Sequence, residues 1–152
     1  MSTRRLIVYK RRYETVAIVN PEAGNDGTDK VLERMRDALG RTEGKEVRFE
    51  DWGRRRLAYE LRRQKKGHYL YIQYLGSSAT VPELERLLGI TEEAMKFQTV
   101  LLEDRIVESE FDFQAASQDR TGLERGSDKP AVQPVAEVVQ EDTSDAEEKE
   151  DA

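Results

Sequence analysis

The sequence predicts an α+β fold, a four-stranded antiparallel sheet with two helices on one face, followed by an acidic tail without a core. Three observations lead there. Stretches of β-branched and aromatic residues alternate with stretches of helical periodicity, in the order strand, helix, strand, strand, helix, strand. Proline, glycine or polar clusters punctuate the junctions. Beyond about Glu108, proline, glutamine, serine and acid dominate, with too little apolar surface to offset the entropy of ordering. The predicted organisation is an N-terminal extension over 1–10, one domain over 11–108 and a disordered acidic tail over 109–152.

The first strand is read in "YETVAIV", Tyr13 to Val19, which stops at Asn20-Pro21 because proline cannot continue a ladder. "EAGNDGTD" is read as a loop. Val31, Leu32, Met35 and Leu39 recur at helical spacing, with Asp26 or Thr28 expected to cap the helix and Gly40 to end it.

From Lys45, "KEVRFEDW" alternates, Val47 and Phe49 on one side and Arg48 and Glu50 on the other. Gly53 interrupts the pattern and predicts a bulge or bend. After it Leu57, Tyr59 and Leu61 share one face, with Arg55 at its edge, while Arg54, Arg56, Ala58 and Glu60 share the other. "RRQKKG" then turns the chain into "HYLYIQYL", so residues 45–75 form a long hairpin with Arg62, Arg63, Lys65 and Lys66 at its tip.

Thr80 with Glu83 three residues on, and Pro82 between, predicts a capping box for a second helix whose buried stripe is Leu84, Leu87 and Leu88. "MKFQTVLL" supplies the last strand. The sheet face opposite the helices is expected to be left uncovered by the domain.

Charge divides the chain as sharply as hydropathy does. The formal net charge of the 152 residues is -6, which as an average argues against a nucleic-acid partner. Residues 1–109, however, hold 21 basic and 18 acidic groups, and residues 110–152 hold 4 and 13. Most of the positive charge lies before Gly76, where 18 basic groups stand against 11 acidic ones.

The absence of cysteine removes disulfides and thiolate metal sites and fits a reducing cytosol. No apolar run approaches membrane-spanning length, and "LIVY" lacks the features of a signal peptide, so a cytoplasmic protein is expected. His68, the only histidine, has no neighbouring ligand in sequence and is read as structural. The glycines of "EAGNDGTD" lack the Walker spacing. No catalytic residue, metal, cofactor or small-molecule substrate is indicated.

"RRYETVAIVNP", "EDWGRRRLAYEL" and "KKGHYLYIQY", in this order and at this spacing, resemble the bacterial small-subunit ribosomal protein family S-six. The resemblance covers roughly Arg11 to Asp104, and its most specific part is Gly-Arg-Arg-x-Leu-Ala-Tyr at Gly53 to Tyr59. It implies a ferredoxin-like βαββαβ fold, no catalysis, and binding of small-subunit (16S) ribosomal RNA together with ribosomal protein S-eighteen in the platform region of the bacterial ribosome. The ten residues "MSTRRLIVYK" precede the usual family start. Glu60 stands where proline is usual, and Gln98 and Leu101 depart from the family pattern of the last strand.

The RNA-binding candidates are therefore Arg11, Arg12, Arg54, Arg55, Arg56, Arg62, Arg63, Lys65, Lys66 and Lys96. Arginine suits bidentate phosphate contacts and stacking, which position an RNA without reading its sequence. Trp52, Tyr59 and Tyr71 are candidates for contact with the protein partner. If the first strand and the hairpin lie in one sheet, up to nine cations are expected to form one patch.

Tyr69 and Tyr71 share one face while Tyr74 takes the other, a register that disfavours the base-stacking platform of single-strand RNA readers. A single-strand RNA-binding module of that type, not stably ribosomal, is the alternative. An acylphosphatase-like hydrolase is disfavoured because the loop after the first strand has no arginine. A regulatory module dimerising through its open sheet is the third class. The acidic tail is expected to be solvated, with competition for the basic surface as the rival reading.

Overall fold

The computed structural model describes residues 6–118. Strand β1 (Tyr9–Val19), helix α1 (Gly24–Arg41), strands β2 (Lys45–Leu61) and β3 (Gln64–Gly76), helix α2 (Thr80–Gly89) and strand β4 (Ala94–Val107) follow in the predicted order. The four strands form one sheet in the spatial order β2-β3-β1-β4, with every neighbouring pair antiparallel. This is the ferredoxin-like arrangement.

Alternation along the two central strands sets the main core. Tyr13, Ala17 and Val19 of β1 and Leu70, Ile72 and Tyr74 of β3 meet Val31, Met35, Ala38 and Leu39 of α1 and Leu84, Leu87 and Leu88 of α2. A buried polar thread runs through it: the Thr15 hydroxyl lies 3.0 Å from that of Tyr74 and 2.9 Å from that of Thr99. Paired in this way, the three hydroxyls avoid the cost of an unmet buried donor.

Both helix starts differ from expectation. The segment read as a loop is helical: a 3-10 turn at Pro21–Ala23, capped by the Asn20 carboxamide accepting from the Glu22 N–H, leads directly into α1 at Gly24. Neither Asp26 nor Thr28 caps α1, because both lie inside it; Thr28 instead donates back to the Gly24 carbonyl. Gly40 does not end the helix, which runs to Arg41. There the Gly44 N–H closes on the Leu39 carbonyl through Glu43, held at φ 55°. The capping box of α2 does not form either. Thr80 is buried within the first turn and takes the Ser77 N–H, while Glu83 pairs with Arg86.

The sheet face away from α1 and α2 is not bare. After β4 the chain makes a 3-10 turn at Glu108–Glu110 and a third helix, α3 (Phe113–Gln118), capped by Asp112. Ala116 packs with Val47, Leu75 and Ile106 in a second cluster, flanked by Phe111 and Phe113. Residues 109–118, expected to be disordered, are therefore folded, because the short apolar group "FDFQAA" finds a complementary end of the sheet. The remainder of the predicted tail lies outside the described residues. At the other terminus β1 begins at Tyr9, so Tyr9 and Lys10 of the expected extension pair with Val107 and Ile106 of β4.

Two bulges in β2 shape this face. One falls at Val47, between Glu46 and Arg48, and turns Val47 into the second cluster while Phe49 packs on the main core. Val47 and Phe49 thus do not share a side. The other lies between Asp51 and Gly53, where Gly53 adopts φ 72°, as its position inside the strand pattern led us to expect.

Candidate nucleic-acid interface

The second bulge organises the centre of the face. It lays Trp52 over Tyr71, centroids 5.0 Å apart and planes 14° from parallel. The Arg55 guanidinium sits 5.6 Å from the Trp52 ring, and Arg48 lies 5.6 Å from that of Tyr71. Stacked guanidinium and aromatic planes of this kind gain quadrupole attraction as well as buried area. Carboxylates tie the stack to the sheet: the Trp52 indole N–H donates to Glu50 at 2.9 Å, and Arg48 pairs with the other Glu50 oxygen at 2.9 Å.

Beneath the stack, Arg12 donates twice to the Gln73 carbonyl oxygen, Gln73 donates to the Tyr71 hydroxyl, and Tyr71 donates to Glu14 at 2.8 Å. Burial, with the hydrogen bond to Glu14, pushes the Tyr71 phenol above its ordinary range. Tyr71 is 1% exposed. It therefore does not offer a surface to a partner as expected, being covered by Trp52 and Arg48.

The three consecutive arginines divide between faces. Arg55 pairs opposite Gly67 and points to the stacked face, whereas Arg54 and Arg56, opposite His68 and Lys66, point to the helix side. Arg54 reaches the Pro21 carbonyl. The alternation in the sequence predicts this split. His68, structural as read, donates its Nε2–H to Asp51 at 2.6 Å, and the same carboxylate oxygen takes the Gly53 N–H, so the pair pins the bulge.

A single patch of nine cations does not form. The antiparallel register places Arg11 and Arg12 beside Gly76 and Leu75, at the end of β3 remote from the hairpin tip. From Leu75 back to Lys66 is nine residues, roughly 30 Å at a strand rise of about 3.3 Å per residue. Arg11 is moreover paired with Asp104 at 2.9 Å, and Arg12 is engaged with Gln73 and lies over the Phe111 ring.

The hairpin cluster does form. Between Arg54 and Lys66 the chain carries seven cations and one carboxylate, Glu60. Elsewhere the basic groups are largely matched: Lys30 with Glu93, Arg36 with Glu46, Arg41 with Asp37 and Glu83, Lys45 with Glu108, and Arg86 with Glu83. Arg54, Arg55 and Arg62 instead meet neutral carbonyls, of Pro21, Trp52 and Glu92. The charge of these three arginines is thus left for an outside anion.

Lys96 of β4 is the one candidate from another strand that joins the hairpin. It hydrogen-bonds the Tyr59 hydroxyl and lies 5.2 Å from the Tyr59 ring centroid. The reach is possible because pairing between β2 and β3 lapses after Arg56↔Lys66 and resumes only at Leu61↔Gln64, so residues 57–60 arch across the open face. Tyr59 is 58% exposed.

The family model described as Ribosomal protein S6 matches residues 12–101, more than half of the chain. The chain belongs to the ribosomal protein S6 family. Among its relatives, the small ribosomal subunit protein bS6 of Geobacter sulfurreducens is 38% identical over 93 residues, 61% of this chain and 80% of that protein. The bS6 of Nitratidesulfovibrio vulgaris is 36% identical over 98 residues, 64% of this chain and 97% of the relative. That of Desulfosudis oleivorans is 38% identical over 94 residues, and the match spans only 56% of its length. The crystal structure of the 30S ribosomal protein S6 of Thermotoga maritima superposes with a TM-score of 0.57 at 24% identity, covering 79% of this chain and 96% of that one, which shows the shared fold.

Within this S6-family domain, sequence reasoning missed Arg48, Glu50, Glu14 and Gln73. Strand alternation had placed Arg48 and Glu50 on one side; what was lacking was that this side carries Tyr71, a fact only the pairing of β2 with β3 supplies. Among the described residues no helix is long and apolar enough to cross a membrane.

Proposed function

We propose that this protein is a structural constituent of the small ribosomal subunit, binding small-subunit ribosomal RNA jointly with ribosomal protein S-eighteen in the platform region, without catalysis. The cytoplasmic ribosome is its place of action. The observation that carries the RNA contact is the basic hairpin, seven cations and one carboxylate between Arg54 and Lys66, of which Arg54, Arg55 and Arg62 are held by neutral carbonyls. Phosphate neutralisation by such a cluster supplies affinity, and the shape of the RNA supplies selectivity. Trp52 and exposed Tyr59 are the candidates for the protein contact. A base-stacking platform on the sheet is disfavoured by the burial of Tyr71 and Tyr69.

Replacing Arg54, Arg55 and Arg56 together with alanine tests the reading. Small subunits assembled with the variant and washed in high salt should retain much less of it than of the wild type, with the circular dichroism of the free protein unchanged. Equal retention would count against the hairpin as the RNA contact.

A further inference from the structure

The hairpin between Arg54 and Lys66 has a counterpart in its own chain. Residues 141–151, which lie outside the described part, carry seven carboxylates and one lysine, against seven cations and one carboxylate in the hairpin. The two stretches are thus equal and opposite in formal charge, -6 against +6. We propose that in the free protein the hairpin binds this acidic segment of the same chain, so that the basic surface is occupied until another polyanion takes it. Beyond the RNA-binding function proposed above, this gives the hairpin a second, intramolecular ligand.

Three observations converge. Arg54, Arg55 and Arg62 donate to the carbonyls of Pro21, Trp52 and Glu92, so their charge is retained, and carboxylates suit a guanidinium fork as phosphates do. The other basic groups offer the segment less. Arg11 already holds Asp104, Lys30 holds Glu93, Arg36 holds Glu46, and Lys10 is buried with its ammonium on the Glu43 carbonyl. Finally, the structure fixes the root of the tether. Helix α3 ends at Gln118, with Ala116 packed on Leu75 at the far end of the sheet. From Leu75 to Lys66 is roughly 30 Å along β3. The 23 residues from Gln118 to Glu141 can span at most about 80 Å, so the segment reaches the hairpin with chain to spare. Tethering also makes the encounter intramolecular, and the attraction of two opposite clusters then needs no second copy.

The test is carbodiimide cross-linking of the full chain, without RNA and at micromolar concentration, with the linked peptides identified by mass spectrometry. The reagent joins amines to carboxylates already in contact. At low salt, Lys65 and Lys66 should be joined to residues 141–151 about ten-fold more often than Lys45. Lys45 is the reference because its ammonium lies 6.0 Å from the Phe113 ring of α3, near the root of the tether, where a segment that is merely solvated finds it first. Raising the salt from about 10 mM to about 1 M shortens the screening length from about 30 Å to about 3 Å and should abolish the preference. Replacing Arg54, Arg55 and Arg56 together with glutamine should lower the links at Lys65 and Lys66 several-fold, although neither lysine nor the acidic segment is altered. Links spread evenly over the lysines, or favouring Lys45, overturn the proposal, as does a preference that survives high salt or ignores the triple substitution. In a mixture of unlabelled and isotope-labelled chains, links that join the two copies would assign the segment to a neighbouring molecule, and the inference falls. No readout involves RNA, so the RNA-binding function stands or falls separately.

Discussion

Trp52 covers Tyr71 at a ring separation of 5.0 Å, and Arg55 in turn lies over Trp52. The stack joins an arginine offered to solvent to a tyrosine that is almost fully buried. The Gly53 bulge turns Trp52 onto this face, so the orientation of Arg55 depends on a backbone irregularity held by Asp51 and His68.

Trp52→Ala should destabilise the domain by about 2 kcal/mol, below the range for a fully buried tryptophan because this one is half-buried. Urea denaturation measures the loss. Since Trp52 is the chain's only tryptophan, its fluorescence in the wild type should also change when RNA engages Arg55. A silent signal under saturating RNA would place the contact elsewhere.

Arg62 and Arg63 form the two-residue turn of the hairpin with φ 47° and 63°. Both are left-handed, the conformation in which asparagine and glycine are favoured. Arg62→Asn with Arg63→Gly should therefore stabilise the domain by about 1 kcal/mol. The same change should reduce RNA affinity and flatten the plot of log affinity against log salt by about 1–2 units, through loss of two cations. Opposite signs in melting and binding are the expected signature.

Gly67 leaves room over the sheet for the side chains of Ile18 and Leu57. A Cβ there would stand 2.3 Å from the Ile18 Cγ2 and 3.2 Å from the Leu57 Cδ2. Gly67→Ala should cost about 2 kcal/mol by overpacking. Ile18→Ala in the same chain should recover part of that loss, which a double-mutant cycle in thermal unfolding would detect as coupling. Strict additivity would show that the backbone, and not the Ile18 methyl, sets the constraint.

Burial pushes the Tyr74 phenol up to about 12 from its ordinary 10, the largest cause being desolvation in the main core. The folded protein holds this proton where the unfolded chain has already released it, so stability present below pH 10 falls as the pH rises toward 12. Over that window Tyr74 should account for a loss of about 2–3 kcal/mol. Denaturant titrations at pH 9 and pH 11.5 measure it, and Tyr74→Phe should show a shallower decline.

Periodicity alone determined the element order, the assignment of Tyr74 to one face and of Tyr69 and Tyr71 to the other, the bulge at Gly53 and the split of Arg55 from Arg54 and Arg56. These follow from side-chain direction along a single strand, a local property. Helix starts were legible only in part. The apolar stripe announces a helix but not its first turn, and Thr80 was drawn from its expected cap by burial against Ser77.

The tertiary structure decided what lies beside what. Antiparallel register carried Arg12 away from the hairpin tip, brought His68 to Asp51, set Tyr71 beneath Trp52 and Arg48, and gave the short "FDFQAA" segment a sheet end on which to fold. It also arched residues 57–60 across to Lys96. Each of these depends on contacts between residues distant in the chain, whose energy is collected only when the whole sheet closes, and no window of sequence contains both partners.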